Sequence, residues 1–221
     1  MNQSQIRNKI KEQGLIPLFF HPQKNTSIDI VKALYAAGVR IIEFTNRGEN
    51  APEIFKALIT ERDKSMSGLT LAIGTIRSSG QAREFINLGA DFLISPVFDN
   101  EICNTARSEN IVWVPGCMTP TEIHLAEMAG CQLLKLFPGN LLGPSFIEAI
   151  KPLFTGLDYV VTGGVDTSPS NLKSWFDTGI AGVGMGSKLI TKEILDNKDY
   201  DLLTRKTMDL LATIKNIKPQ L

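Results

Sequence analysis

One lysine stands in a stretch that is otherwise apolar. In Gln132-Leu133-Leu134-Lys135-Leu136-Phe137-Pro138 leucines flank Lys135 on both sides, and an apolar setting disfavours the charged form of an amine. The free amine is the form that attacks a ketone carbon on the way to an imine. The competing explanation is a strand-end lysine whose stem lies along apolar surface while its ammonium reaches solvent. Glu43 tips the balance toward chemistry. In Val39-Arg40-Ile41-Ile42-Glu43-Phe44-Thr45, strand alternation puts Val39, Ile41, Glu43 and Thr45 on one face. A carboxylate beside an imine is what enamine chemistry needs, because protons must move at a hydroxyl and at the carbon that leaves. A plain Glu43–Lys135 ion pair is the structural alternative.

Other candidates surround these two. Arg47, just beyond the same strand in Thr45-Asn46-Arg47-Gly48, offers a rigid fork that grips a carboxylate bidentately. Thr75, in Ile73-Gly74-Thr75, carries a hydroxyl suited to a carboxylate or keto oxygen, or else to capping local backbone. Two late glycine clusters, Thr162-Gly163-Gly164 and Gly182-Val183-Gly184-Met185-Gly186-Ser187, present backbone amides with no side chain in the way, the means by which loops hold phosphate. Tight-turn glycines are the alternative there. The spacing is not that of a dinucleotide fingerprint. His21 and His124 are weak candidates, and no carboxylate–histidine cluster has metal spacing, so a zinc-dependent reaction is disfavoured and no cofactor is expected. Trp113 and Trp175 read as packing residues.

The elements that must position these groups alternate. Short apolar runs at Leu15–Phe19, Val39–Phe44, Leu69–Ile73, Asp91–Ile94, Ile111–Val114, Gln132–Leu136, Asp158–Val161 and Ile180–Val183 give about eight candidate strands separated by amphipathic segments. Gly38, Gly89, Gly130 and Gly179 each stand just before a strand, as left-handed helix caps do. Pro52, Pro120 and the Ser168-Pro169 pair mark helix starts, and Tyr200–Ile214 reads as a C-terminal helix with Leu202, Leu203, Leu210 and Leu211 on its apolar side. A doubly wound sheet also alternates, but it places its glycine-rich loop after the first strand; here the glycines follow the presumed seventh and eighth, where barrels bind phosphate. The expected architecture is therefore a single (β/α)8 TIM barrel domain over residues 1–221, with a short N-terminal helix. Glu43 on the second strand and Lys135 on the sixth can share an interior layer, since alternate strands supply each layer.

Composition narrows the partners. Lys plus Arg number 23 and Asp plus Glu number 23, so no polybasic field exists to hold nucleic acid or an anionic membrane, and any anion must be bound locally. Three cysteines without a CxxC pair argue against a disulfide framework and a zinc site, and fit a cytoplasmic protein. Met1 to Gly14 lacks the apolar core of a signal peptide, and no apolar run approaches the roughly 18 residues of a membrane span.

Glu43-Phe44-Thr45-Asn46-Arg47, Gly74-Thr75, Ser95-Pro96, Pro115-Gly116, Lys135-Leu136-Phe137-Pro138 and Thr162-Gly163-Gly164 occur in that order, one set per βα unit. Together they resemble the 2-keto-3-deoxy-6-phosphogluconate and 4-hydroxy-2-oxoglutarate aldolase family over about Leu15 to Ile190. The resemblance implies a class I lyase that splits a 2-keto-3-deoxy sugar acid phosphate to pyruvate and an aldehyde. It implies Lys135 as the Schiff base lysine and Glu43 as general acid and base, with Arg47 and Thr75 on the pyruvyl part and Thr162 nearby. Gly163, Gly164, Gly186 and Ser187 would line a phosphate site, and the family pattern implies a homotrimer without metal or organic cofactor. Two departures stand out. Many members carry an arginine at the end of the first strand, where this chain has Phe19-Phe20-His21-Pro22; the last cluster reads Met185-Gly186-Ser187-Lys188, where an aromatic residue more often follows the serine. Alternatives are an aldolase for 4-hydroxy-2-oxoglutarate or an unphosphorylated keto-deoxy acid and, from another class, a non-catalytic barrel that binds a phosphorylated metabolite.

Overall fold

The computed structural model describes residues 1–218. Its strands are β1 (Leu15–Phe19), β2 (Ile41–Thr45), β3 (Thr70–Gly74), β4 (Phe92–Ile94), β5 (Val112–Val114), β6 (Gly116–Cys117), β7 (Leu133–Leu136), β8 (Asp158–Thr162) and β9 (Gly182–Met185). All their pairings are parallel, in the order β5-β4-β3-β2-β1-β9-β8-β7-β6. The ends of that order, β5 and β6, are consecutive in the chain and separated only by Pro115. β5 pairs with β4, and β6 pairs with β7. The sheet therefore closes into the expected barrel, with its fifth strand divided. Proline has no amide hydrogen to give a ladder, and the strand changes partner there: Ser95 N donates to Val114 O at 3.1 Å, and Lys135 N donates to Pro115 O at 2.9 Å.

Strand parity sorts the side chains. Ile42 and Phe44 join the outer core between strands and helices, whereas Ile41 joins an inner cluster with Ile16, Ala72, Phe92, Val114 and Val160 along the axis. The helices outside the strands end where expected: Gly38, Gly89, Gly130 and Gly179 have φ of 100°, 96°, 74° and 73°. Thr119 and Glu122 form a capping box on α6 (Pro120–Met128), and Ser168 caps α8 (Pro169–Phe176). The C-terminal helix runs Tyr200–Ile217, and its Leu203 and Leu210 are buried while Leu202 and Leu211 are half-buried.

α1 (Gln3–Gln13) lies under the barrel. Its Ile6 and Ile10 are fully buried in the inner cluster, so the helix plugs the amino-terminal ends of the strands. Burial of two such side chains contributes about 3–6 kcal/mol. Around that plug Arg7 Nε and Lys11 Nζ approach Asp158 Oδ2 at 2.6 and 2.9 Å, and Lys9 donates to Gly68 O and Thr70 Oγ1. Among the described residues no helix is long and apolar enough to cross a membrane.

Candidate active site

With one end of the barrel closed by α1, access to the interior is from the carboxyl-terminal end of the strands. Ile41, Glu43 and Thr45 occupy the inward positions of β2, and register sets Glu43 beside Leu18 of β1 and Ala72 of β3. Lys135, inward on β7, stands between Gly116 of β6 and Val160 of β8. The two meet across the axis: Lys135 Nζ lies 3.7 Å from Glu43 Oε1, with only 7 % and 2 % of the residues exposed. The lysine therefore does not snorkel. Its Nζ is also 5.5 Å from the centre of the Phe137 ring, within reach of a cation–π attraction.

The carboxylate is held by what its neighbour lacks. A Cβ placed on Gly74, at the end of β3, would fall 1.8 Å from Glu43 Oε1. Only glycine leaves room for the acid in this position. Glu43 Oε1 has no protein hydrogen-bond partner, nor has the buried Thr45 Oγ1. Leaving such groups unpaired costs about 1–3 kcal/mol each, a cost that native folds accept chiefly where the atoms have other work.

Above the pair, Thr162 and Gly184 border both the narrow barrel interior and a wider mouth. Arg47, Gly163, Gly164, Gly186 and Ser187 all line that mouth, together with Phe20, Phe137, Asp166 and Lys188. Arg47 is exposed and follows β2, while the glycines form the β8–β9 side. Gly163 and Gly164 have φ of 90° and 76°, a pair of left-handed residues that turns the chain sharply after β8. A Cβ on Gly164 would lie 2.6 Å from the Cβ of Asn140, so packing as well as amide presentation requires glycine there. Hydrogen bonds from the Ser168 hydroxyl and amide hold the Asp166 carboxyl below its ordinary range, and the Lys188 charge adds to this.

Thr75 is the one expected site residue that lines neither the interior nor the mouth. It is half-buried beside Gly74 and has φ of 61°. For a β-branched residue that conformation costs on the order of 1–3 kcal/mol, strain of a kind that clusters at functional sites. His124 is exposed on α6, and His21 Nδ1 accepts from Gln23 N. Trp113 and Trp175 are buried packing residues, the former donating to Ser95 Oγ at 2.7 Å. Among the described residues no three His, Cys, Asp or Glu side chains stand together as a metal group. The sequence places Thr45 on the face of Glu43 and shows Gly74 and Phe20 at strand ends, but gives none of the three a role of its own. Gly74 could have been found as a glycine at the inward end of the strand next to Glu43. Phe20, against Phe44 with ring centres 5.7 Å apart, lines the mouth where the resemblance led to expect an arginine.

Comparison with known proteins gives the family and the fold. The model of the KDPG and KHG aldolase family matches residues 6–206. A probable 2-dehydro-3-deoxy-6-phosphogalactonate aldolase of Rhizobium meliloti is 31 % identical over 179 residues, 80 % of this chain and 82 % of the relative. The KHG/KDPG aldolase of Escherichia coli is 29 % identical over 203 residues, covering 91 % and 92 %. A solved KDPG aldolase from Legionella pneumophila shares the fold, with a TM-score of 0.84 at 24 % identity over 92 % of this chain and 97 % of that one.

Proposed function

Since the chain belongs to the KDPG and KHG aldolase family and is a carbon–carbon lyase, we propose that it cleaves a 2-keto-3-deoxy sugar acid phosphate to pyruvate and an aldehyde through an imine on Lys135. The observation that carries this reading is the buried Lys135–Glu43 pair, 3.7 Å apart, beneath an open mouth. The unprotonated amine attacks the 2-keto carbon, and Glu43 supplies the proton with which the carbinolamine loses water. The protonated imine then draws electrons from the bond between the third and fourth carbons while Glu43 takes the proton of the hydroxyl on the fourth. An aldehyde departs and an enamine remains. Reprotonation at carbon and hydrolysis release pyruvate.

Arg47 and Thr75 serve the pyruvyl carboxylate in this scheme, and Thr162 flanks the imine. Gly163, Gly164, Gly186 and Ser187 hold the terminal phosphate, mainly through backbone amides. The family relationship supports a homotrimer, as does the set of exposed apolar side chains Met118, Leu125, Met128 and Leu141 near α6 and the start of α7 (Gly139–Ile150). A cytoplasmic location is supported by three free, buried cysteines, with burial pushing the thiols of Cys117 and Cys131 up to about 12.

Incubation with pyruvate and borohydride should add one pyruvyl mass to the peptide holding Lys135. Labelling elsewhere, or none, would overturn the assignment. Chelators should leave turnover unchanged, and a loss restored by zinc or magnesium would count against a lysine-based mechanism. For the phosphate, Ser187→Asp, which sets a carboxylate in the mouth without disturbing the Gly163–Gly164 turn, should raise the KM of the phosphorylated substrate steeply while pyruvate still labels Lys135. Equal wild-type efficiency on paired phosphorylated and unphosphorylated acids would transfer the assignment to the unphosphorylated class. Light scattering that shows a stable monomer at micromolar concentration would exclude the trimer.

A further inference from the structure

Among the described residues five buried side-chain polar atoms lack a hydrogen-bond partner: Glu43 Oε1, Thr45 Oγ1, Tyr159 Oη, Trp175 Nε1 and Tyr200 Oη. Three of them belong to rings in or against the outer core between strands and helices. Only Glu43 and Thr45 lie on inward positions of a barrel strand, and they are successive inward positions of the same strand, β2. Thr45 is fully buried, at the mouthward end of β2 in register with Gly74, the glycine that makes room for Glu43.

Its hydroxyl is thus one layer above the carboxylate, about 7 Å farther along the strand between Cα atoms. That is the direction in which a substrate anchored on Lys135 must extend. The two side-chain oxygens do not bond each other. A single oxygen that bonds both can span a gap of up to about 5.5 Å, twice an ordinary O–H···O distance.

We infer that Thr45 is a further catalytic residue, whose hydroxyl donates a hydrogen bond to the substrate oxygen that Glu43 deprotonates. The inference rests on the aldolase mechanism proposed above. In the cleavage step the hydroxyl proton on the fourth carbon passes to Glu43, and its O–H electrons become the second bond of the aldehyde carbonyl. The pair from the broken carbon–carbon bond moves into the enamine, neutralising the iminium nitrogen. Negative charge develops on the oxygen as its proton leaves, so a donor fixed there strengthens in the transition state more than in the bound substrate. In the reverse direction the same donor polarises the aldehyde.

The experiment compares Thr45→Val, close in shape but without the hydroxyl, with Thr45→Ser, which keeps it. Thr45→Val should lower kcat by roughly ten- to hundredfold with little change in KM, and Thr45→Ser should restore kcat to within about threefold of wild type. In a Glu43→Gln background Thr45→Val should add almost nothing, because both groups act on one oxygen. Wild-type kcat in Thr45→Val, equal loss in the serine variant, or full additivity with Glu43→Gln would each overturn the inference. Pyruvate trapping on Lys135 is the control that separates the two claims. If wild-type enzyme traps pyruvate and Thr45→Val is silent, the aldolase mechanism stands and the role of Thr45 falls; without trapping, both fall.

Discussion

At the amino-terminal end of the barrel, Asp158 accepts from Arg7 and lies against Lys11, Lys9 reaches Thr70 and Gly68, and Ile6 and Ile10 fill the axis. At the carboxyl-terminal end, Glu43 Oε1 and Thr45 Oγ1 have no hydrogen-bond partner, Thr75 has a positive φ, and glycines take the places of side chains. The same strands pass through both layers. Paired polar groups and apolar filling at one end supply stability that the other end gives up to keep polar atoms open to a ligand. The contrast can be tested by substituting residues in one layer and measuring both stability and turnover.

The largest effect belongs to Lys135→Ala. It should abolish pyruvate trapping and cut turnover by at least about a thousandfold, because among the described residues no other amine lines the interior cavity beside Glu43. Removing the amine also leaves Glu43 buried without the group 3.7 Å from its Oε1, so the variant should lose stability as well. Denaturant unfolding beside single-turnover kinetics separates the two losses. Gly74→Ala comes next. Its backbone has no positive φ to defend, so its whole cost comes from driving a methyl group into Glu43 Oε1. The carboxylate must swing away, and kcat should fall by roughly two orders of magnitude while circular dichroism stays native. Near-normal kcat would show that the acid acts from another position.

Much of this contrast was legible in the sequence. Apolar runs and the four glycine caps located the strands and helix ends, because burial and left-handed geometry each restrict residue choice. Parity put Glu43 inward, and the supply of each interior layer by alternate strands let Lys135 on the sixth strand face it. The division of the fifth strand was harder to read: Pro115 forbids one ladder bond, but residue types alone do not say that pairing resumes with a different neighbour at Gly116. The strain at Thr75 was hidden for a related reason, since nothing in a threonine announces a positive φ. The missing partner of Thr45 was also invisible, because hydrogen-bond satisfaction depends on neighbours from other strands. Boundaries moved by one or two residues, as at Val39–Phe44, which forms a strand only from Ile41 to Thr45.

The lower end gives the converse test. Ile10→Ala removes a fully buried side chain from the plug and should cost about 2–3 kcal/mol, a fall in Tm of several degrees for a chain of this size. Turnover at 25 °C should change little, since Ile10 borders the interior cavity from the plug, on the side away from the mouth. A lowered kcat in a fully folded sample would mean that the plug transmits to the site and that the two ends are not independent.

The smallest effect provides the sharpest comparison, because it lies within one strand. β8 begins at Asp158 and ends at Thr162, about 13 Å farther along. Asp158→Asn weakens contacts with Arg7 and Lys11 whose side chains are 22 % and 30 % exposed, so solvent screening limits the loss to about 1 kcal/mol. That loss should shrink as salt is raised, and kcat and KM should match wild type. Thr162→Val should do the opposite. Thr162 borders both the interior and the mouth, and its Oγ1 would lie 2.4 Å from a Cβ on Gly184, so the hydroxyl sits in a space that glycine keeps open. Its loss should leave the unfolding midpoint nearly unchanged and lower kcat/KM. If Asp158→Asn altered KM, or if Thr162→Val cost stability without touching kinetics, the division of labour along β8 would be refuted even with Lys135 and Glu43 secure.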